Sequence, residues 1–124
     1  MFKFFPIQPL ILCLFLDFIV RTVHHSRVSV VVVLHNLFTK NFRTASLSAD
    51  YLALFNFARD KSVVSSLGKQ MFPERNRFLK HCYDFVTRKP YGYLFIDLTG
   101  LQNNRFRIRS NIFNDPETLI LAPV

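Results

Sequence analysis

Three arginines alternate with other residues near the C-terminal end of the chain. Arg105, Arg107 and Arg109 are separated by single residues in the stretch RFRIRSNIF, residues 105–113. Alternate side chains of a β-strand point to the same face, so this spacing predicts a half-exposed strand with one basic face. Guanidinium groups in such a row repel one another unless an anion or carboxylates lie opposite. The row is a candidate contact for nucleic acid or an acidic partner; an exposed edge protected by charge is the alternative.

A second set of basic residues accompanies the most regular helical pattern of the chain, residues 74–87. The polar face of this pattern includes Arg75, Arg77 and Lys80, which are further candidates for contact with nucleic acid or another anion. An ordinary solvated helix face is the alternative. The chain carries 16 Lys and Arg against 8 Asp and Glu, a net charge of +8, which favours a polyanionic partner or an anionic membrane surface.

Patterns for catalysis and metal binding are weak. The sequence has only 3 glycines, and no phosphate-binding loop of the GxxxxGK[S/T] type is present. Asp97 is a single carboxylate in the run YLFIDL, and we interpret it as a strand-end cap or turn former. His24 and His25 lack a third ligand at suitable spacing, and Cys13 and Cys82 match neither a disulfide framework nor a zinc pattern. We therefore predict no metal and no cofactor for this chain, and we expect no enzymatic activity from it alone.

The elements that position these residues follow the order strand, loop, strand, two helices, strand, strand. Three apolar runs without alternation are predicted as buried strands: residues 28–34 (VSVVVVL), 51–57 (YLALFNF) and 91–98 (YGYLFIDL). The first of two predicted helices places Val63, Val64, Leu67 and Met71 on one face. In the second helix, residues 74–87, the predicted buried face consists of Phe78, Leu79, Cys82, Phe85 and Val86.

This pattern indicates one domain of the α/β class, with about four strands and two to three helices. The 124 residues leave no room for a second core. Little helical material precedes residue 28, although a parallel sheet needs crossover helices on both faces. The sheet is therefore predicted to be part of a domain. We predict that residues 1–23 form an apolar segment that does not belong to the sheet. Residues 24–114 are predicted to form the sheet region, and residues 115–124 a tail.

The apolar N-terminal segment permits two further interpretations. Lys3 followed by residues 9–16 resembles the basic and apolar regions of a signal peptide, but no small-x-small cleavage site follows. The apolar run is shorter than the ~20 residues that a membrane-spanning helix needs. We therefore expect an intracellular protein (cytoplasm or nucleus) that does not bind membranes. A secreted or membrane-tethered protein led by residues 1–16 is the alternative.

Residues 24–113 resemble the C-terminal half of a known enzyme family. The blocks that carry the resemblance are HHSRVSVVVVLHNLF (24–38), RTASLSADYLALFNFARD (43–60), LGKQMFP (67–73), FLKHCYDFVTRKPYGYLFIDL (78–98) and RFRIRSNIF (105–113). They are similar to the genome-packaging ATPases of large DNA viruses and Maverick/Polinton-like elements. That family belongs to the HerA/FtsK superfamily of P-loop DNA translocases.

The resemblance implies a partial RecA-like P-loop sheet and four site residues. His35 and Asn36 stand where the family has a Gln-Asn pair that senses the γ-phosphate; Asn36 matches and His35 departs. Arg43 and Arg59 fall in blocks where an arginine acting across a subunit interface stabilises the transferring phosphoryl group. The family's Walker A loop and Walker B acids, which hold ATP and magnesium, have no counterpart in this sequence.

The resemblance therefore describes a truncated fragment of a viral or transposon-derived DNA-packaging ATPase, inactive on its own. Its implied partners are DNA and other ATPase subunits, because the family's motors are ring oligomers. The alternative from composition alone is a small basic protein that binds nucleic acid or interacts with another protein. That alternative uses the helix over residues 74–87 and the arginine row of residues 105–109.

Overall fold

A computed structural model of the chain describes Arg21 and residues 28–33, 47–58, 61–113 and 116–123. The chain divides into two compact units, Met1–Ala49 and Asp50–Val124. The described part of the second unit holds a four-stranded sheet and two α-helices, which confirms the α/β class. Within the described ranges, no helix combines the length and the apolar character needed to cross a lipid bilayer.

The sheet of the second unit contains β1 (Tyr51–Phe55), β2 (Tyr93–Asp97), β3 (Ile108–Ser110) and β4 (Leu119–Ile120). The strands lie side by side in chain order, and all three ladders are antiparallel. β1 and β2 match the predicted strands 51–57 and 91–98, whereas β4 lies in the predicted tail. Since alternating βα units of P-loop cores favour parallel strands, strand direction here lends no support to the P-loop resemblance.

Helix α1 (Ser62–Met71) depends on packing more than on intrinsic helix propensity. Its sequence SVVSSLGKQM contains β-branched, serine and glycine residues, which are mediocre helix formers. Val63, Val64 and Leu67 are buried, as their spacing predicts, and each buried aliphatic side chain contributes roughly 1.5–3 kcal/mol. The helix ends before Pro73, which cannot continue an α-helical hydrogen-bond ladder.

Helix α2 (Phe78–Val86) begins later than the predicted residue 74. The reason is a 3₁₀ turn over Pro73–Arg75, closed by a hydrogen bond from the Arg75 N–H to the Phe72 carbonyl at 3.0 Å.

The buried face of α2 departs from the predicted one at Phe78, which is half-buried, and at the turn of residues 83–85. Leu79, Cys82 and Val86 are buried as predicted, but Phe85 is exposed and Tyr83 is buried instead. The Tyr83 hydroxyl donates a hydrogen bond to the Phe55 carbonyl at 2.9 Å and accepts one from the Phe57 N–H at 2.8 Å. These bonds anchor α2 to the end of β1. No local pattern in the sequence predicts them.

The core of the unit lies between the helices and one face of the sheet. Leu79 of α2 and Leu94 and Ile96 of β2 are fully buried, with no measurable exposure. The register pairs Leu54 with Leu94 and Ile96 with Ile108, so these side chains share the face that the helices cover.

The prediction of a buried strand over residues 28–34 is wrong for the part that the structure describes. Residues 28–33 adopt no strand conformation, and Val31 and Val33 are 83% and 81% exposed. A run of β-branched residues becomes a buried strand only where neighbouring strands complete its hydrogen bonds. No described residue pairs with this run.

The prediction of a strand that begins at Arg105 is also wrong. Residues 104–106 form a 3₁₀ turn, which the Asn103 side chain caps by accepting a hydrogen bond from the Arg105 N–H at 3.1 Å. Arg105 therefore does not share a strand face with the other two arginines. Phe106, which an alternating strand would bury, is 45% exposed. Strand pairing starts only at Ile108.

Cys82 has the properties of a structural thiol rather than a reactive one. Burial raises the pKa of its thiol to about 11. Only the thiolate is nucleophilic, and at pH 8 about one molecule in a thousand carries it at this pKa. In a Cys13→Ser background, we expect iodoacetamide to alkylate the native protein more than tenfold more slowly than the urea-unfolded chain. Equal rates, followed by mass spectrometry, would contradict this assignment.

Candidate functional site

The sheet face opposite the helices is lined by aromatic side chains. Phe55 of β1 pairs directly with Tyr93 of β2. Because alternate residues of a strand share a face, Tyr51 of β1 and Phe95 of β2 lie on this face as well. Tyr51 and Phe55 are each 55% exposed. Phe113, which follows β3, joins them through its ring contact with Tyr93. We call this surface the aromatic face; it consists of Tyr51, Phe55, Tyr93, Phe95 and Phe113.

Neighbouring rings of the aromatic face are inclined at moderate angles. The Tyr51 and Phe95 rings have centroids 5.5 Å apart and planes 27° apart. The Phe55 and Tyr93 rings are 5.7 Å and 41° apart, and the Tyr93 and Phe113 rings are 6.1 Å and 31° apart. Rings at these separations stabilise one another and leave parts of their surfaces open to other planar groups.

The position of Phe113 depends on two hydrogen bonds that its backbone region donates to Tyr93 of the neighbouring strand β2. The Tyr93 hydroxyl accepts hydrogen bonds from the Ile112 N–H at 2.7 Å and from the Phe113 N–H at 3.3 Å. These bonds fix the chain that leaves β3 against the Tyr93 ring. Phe113 therefore extends the aromatic face beyond the end of the short strand β3.

Asp97 lies at one end of the aromatic face, at the last residue of β2. It is 3% exposed, and its Oδ1 accepts hydrogen bonds from the Thr99 N–H at 3.0 Å and the Thr99 hydroxyl at 2.6 Å. Its Oδ2 forms an ion pair with the Arg109 Nη2 at 3.1 Å. This geometry confirms the interpretation of Asp97 as a turn former.

The surroundings of Asp97 keep it ionised. The hydrogen bond from the Thr99 hydroxyl holds the pKa of the Asp97 carboxyl below its usual value, against the opposing effect of burial. The Thr99 N–H and the charges of Arg109 and Arg107 lower this pKa further. Asp97 is thus a fixed negative charge that orients Arg109.

Two of the three predicted arginines meet at this end of the sheet. Arg109 pairs with Phe95 in the register, and its Nε donates a hydrogen bond to the Phe106 carbonyl at 2.8 Å. The Arg107 Nε donates to the Asp97 carbonyl at 3.2 Å. A guanidinium has five N–H donors, so these bonds hold both groups in place and leave further donors for an anion.

The other predicted site residues lie elsewhere. Arg75, Arg77 and Lys80 are exposed in the helix layer. Arg75 lies in the 3₁₀ turn, Arg77 directly before α2 and Lys80 within α2, so they do not join Arg107 and Arg109. His35, Asn36, Arg43 and Arg59 lie outside the described residues. Among the described side chains, no group of three or more His, Cys, Asp or Glu residues could bind a metal ion.

Sequence reasoning missed the aromatic face. Its signal is present as a period of two: Tyr51 and Phe55 in β1, and Tyr93 and Phe95 in β2. Because the intervening positions are also apolar, both runs indicated strands buried on two faces. Within the residues that the structure describes, helices cover one face of the antiparallel sheet, as is common for this sheet type.

Comparisons of the chain with protein-family models, with curated proteins and with solved structures find no match. The function is therefore inferred from the chemistry of the aromatic face and its arginines.

Proposed function

We propose that the unit Asp50–Val124 binds single-stranded nucleic acid on its aromatic face. The observation that carries the proposal is the position of Arg107 and Arg109 beside two groups of partly exposed rings on one face of the sheet. Bases of a single strand stack on aromatic side chains, and guanidinium groups bind the phosphates between them. The aromatic face offers both kinds of contact on one surface.

The energetics favour a single strand over a duplex. Each base that stacks on an aromatic side chain contributes about 1–3 kcal/mol, and a duplex does not expose its base faces for such contact. The net charge of +8 adds a sequence-independent attraction for phosphates. Arg109 contributes to specificity for phosphate because Asp97 and the Phe106 carbonyl hold its guanidinium in one orientation.

The test is a titration of a fluorescein-labelled oligothymidylate of about ten nucleotides, followed by anisotropy. We expect Tyr51→Leu and Phe95→Leu each to lower affinity roughly tenfold or more, because each removes a stacking surface. Phe85→Leu is the matched control, since Phe85 is an exposed ring of the helix layer. Its affinity should equal that of the wild type.

Two results of this titration would contradict the proposal. One is the absence of binding at low salt, where the attraction between the arginines and the phosphates is strongest. If binding occurs, two phosphate contacts predict that log K falls with log salt concentration with a slope of roughly −1.4. The other is an equal loss of affinity in Phe85→Leu and Phe95→Leu, which would mean that the aromatic face has no special role.

The resemblance to packaging ATPases stands beside this function as a proposal about ancestry. It is supported by the order of the five sequence blocks, and it assigns ATP-dependent DNA translocation to the intact family. The test is to sequence the transcript upstream of Met1. A GxxxxGK[S/T] loop and an acidic Walker B strand in the same reading frame would support it, and stop codons in that frame would oppose a joined enzyme.

A further inference from the structure

A pocket of about 380 Å³ lies at the end of the sheet opposite Asp97, where β1 ends and β2 begins. Its lining comes from the end of β1 and from the chain between α2 and β2: Phe55, Asn56, Thr87, Arg88, Lys89, Pro90, Tyr91 and Gly92. Phe55 also belongs to the aromatic face, so the pocket continues that surface.

The pocket wall contains a tight turn with an unusual residue. The Gly92 N–H donates a hydrogen bond to the Lys89 carbonyl at 2.9 Å, and Pro90 and Tyr91 occupy the two central positions. Tyr91 has a φ of +60°. A proline followed by a residue with positive φ is the arrangement of a type II turn, which normally places glycine or asparagine at the second central position.

Tyr91 occupies this position at a cost to stability. The left-handed conformation brings a Cβ too close to the following carbonyl, which is why only Gly, Asn and Asp adopt it readily. Tyr91 is 96% exposed, so burial within the chain does not compensate for that conformation. Strained residues of this kind concentrate at binding sites, where the conformation serves to present a side chain.

We infer that the pocket is an end subsite that holds one further nucleotide of the strand bound on the aromatic face. Tyr91 presents a ring for its base, the exposed Arg88 a charge for its phosphate, and Asn56 an amide for the base edge. The inference rests on the proposed function and extends it, because it gives the bound strand a defined end.

The test uses two variants of Tyr91 and oligothymidylates of increasing length, from about three to ten nucleotides. Tyr91→Asn keeps a residue that tolerates positive φ and removes the ring, whereas Tyr91→Phe keeps the ring. We expect Tyr91→Asn to bind the longer oligonucleotides roughly tenfold more weakly and the shortest ones as the wild type does. Tyr91→Phe should match the wild type at every length.

Urea unfolding of the same variants separates binding from folding. The unfolding midpoint of Tyr91→Asn should be equal to or higher than that of the wild type, so its weaker binding would not reflect a damaged fold. If Tyr91→Asn binds every length as the wild type does, while Phe95→Leu still weakens binding, the end subsite is wrong and the proposed function stands. If the wild type binds no oligonucleotide, the proposed function itself fails.

Discussion

Gly92→Ala is expected to lower the free energy of unfolding of the unit Asp50–Val124 by about 3 kcal/mol or more. A Cβ at Gly92 would lie 1.9 Å from the Val86 carbonyl oxygen and 2.9 Å from the Lys89 carbonyl oxygen. Both atoms belong to the backbone and cannot move aside as a flexible side chain does. The turn must therefore separate from the end of α2. Urea unfolding followed by circular dichroism measures the loss.

Gly100→Ala is the matched control for this steric prediction. Gly100 has a φ of +72°, and nothing lies within 4 Å of the Cβ position, so the substitution introduces backbone strain without a clash. We expect it to cost about 1 kcal/mol. Equal losses for Gly92→Ala and Gly100→Ala would show that the close approach of the turn to α2 is not important for stability.

Asp97→Asn is expected to lower the free energy of unfolding by about 2 kcal/mol at pH 7. The substitution keeps the shape of the side chain but removes the charge that Arg109 and the Thr99 hydroxyl stabilise. It also turns an amide N–H₂ toward one of its former donors. Asp97→Glu keeps the negative charge but places the carboxylate one methylene group farther from the backbone. This variant tests whether the charge alone is sufficient to stabilise the fold.

The contribution of the Asp97 charge depends on pH in a defined direction. The pKa of Asp97 is lowered in the folded state, chiefly by the Thr99 hydroxyl, so the charge stabilises the fold above the unfolded-state pKa of about 4. This stability is lost as pH falls through the lower, folded-state pKa. Wild type and Asp97→Asn should therefore differ at pH 7, and the difference should disappear at acid pH once the carboxyl is protonated in both the folded and the unfolded state. A difference that is constant with pH would contradict the assignment.

The local elements of the second unit were largely predictable from the sequence. The spacing of Val63, Val64 and Leu67 identified the buried face of α1, and most of the buried face of α2 followed from the same rule. Tyr83 was missed because its burial depends on hydrogen bonds to Phe55 and Phe57, which are 28 and 26 residues away in sequence.

The arrangement of the strands was less predictable. The runs that became β1 and β2 were identified, but their antiparallel pairing and the choice of the face that α1 and α2 cover depend on tertiary packing. For this reason the rings of Tyr51 and Phe95 were not recognised as a surface. The spacing alone predicted that Arg107 and Arg109 lie on one face, and the prediction failed for Arg105 because Asn103 caps a turn at that point.

The distribution of the 4 tyrosines gives the protein an optical probe of its own. Tyr51, Tyr91 and Tyr93 line the aromatic face and its adjoining pocket, whereas Tyr83 is buried behind the sheet. The sequence contains no tryptophan to absorb their emission. Ultraviolet fluorescence of the unlabelled chain therefore arises mainly from the surface proposed to stack with bases, and Tyr83 supplies a constant background that changes only when the fold opens.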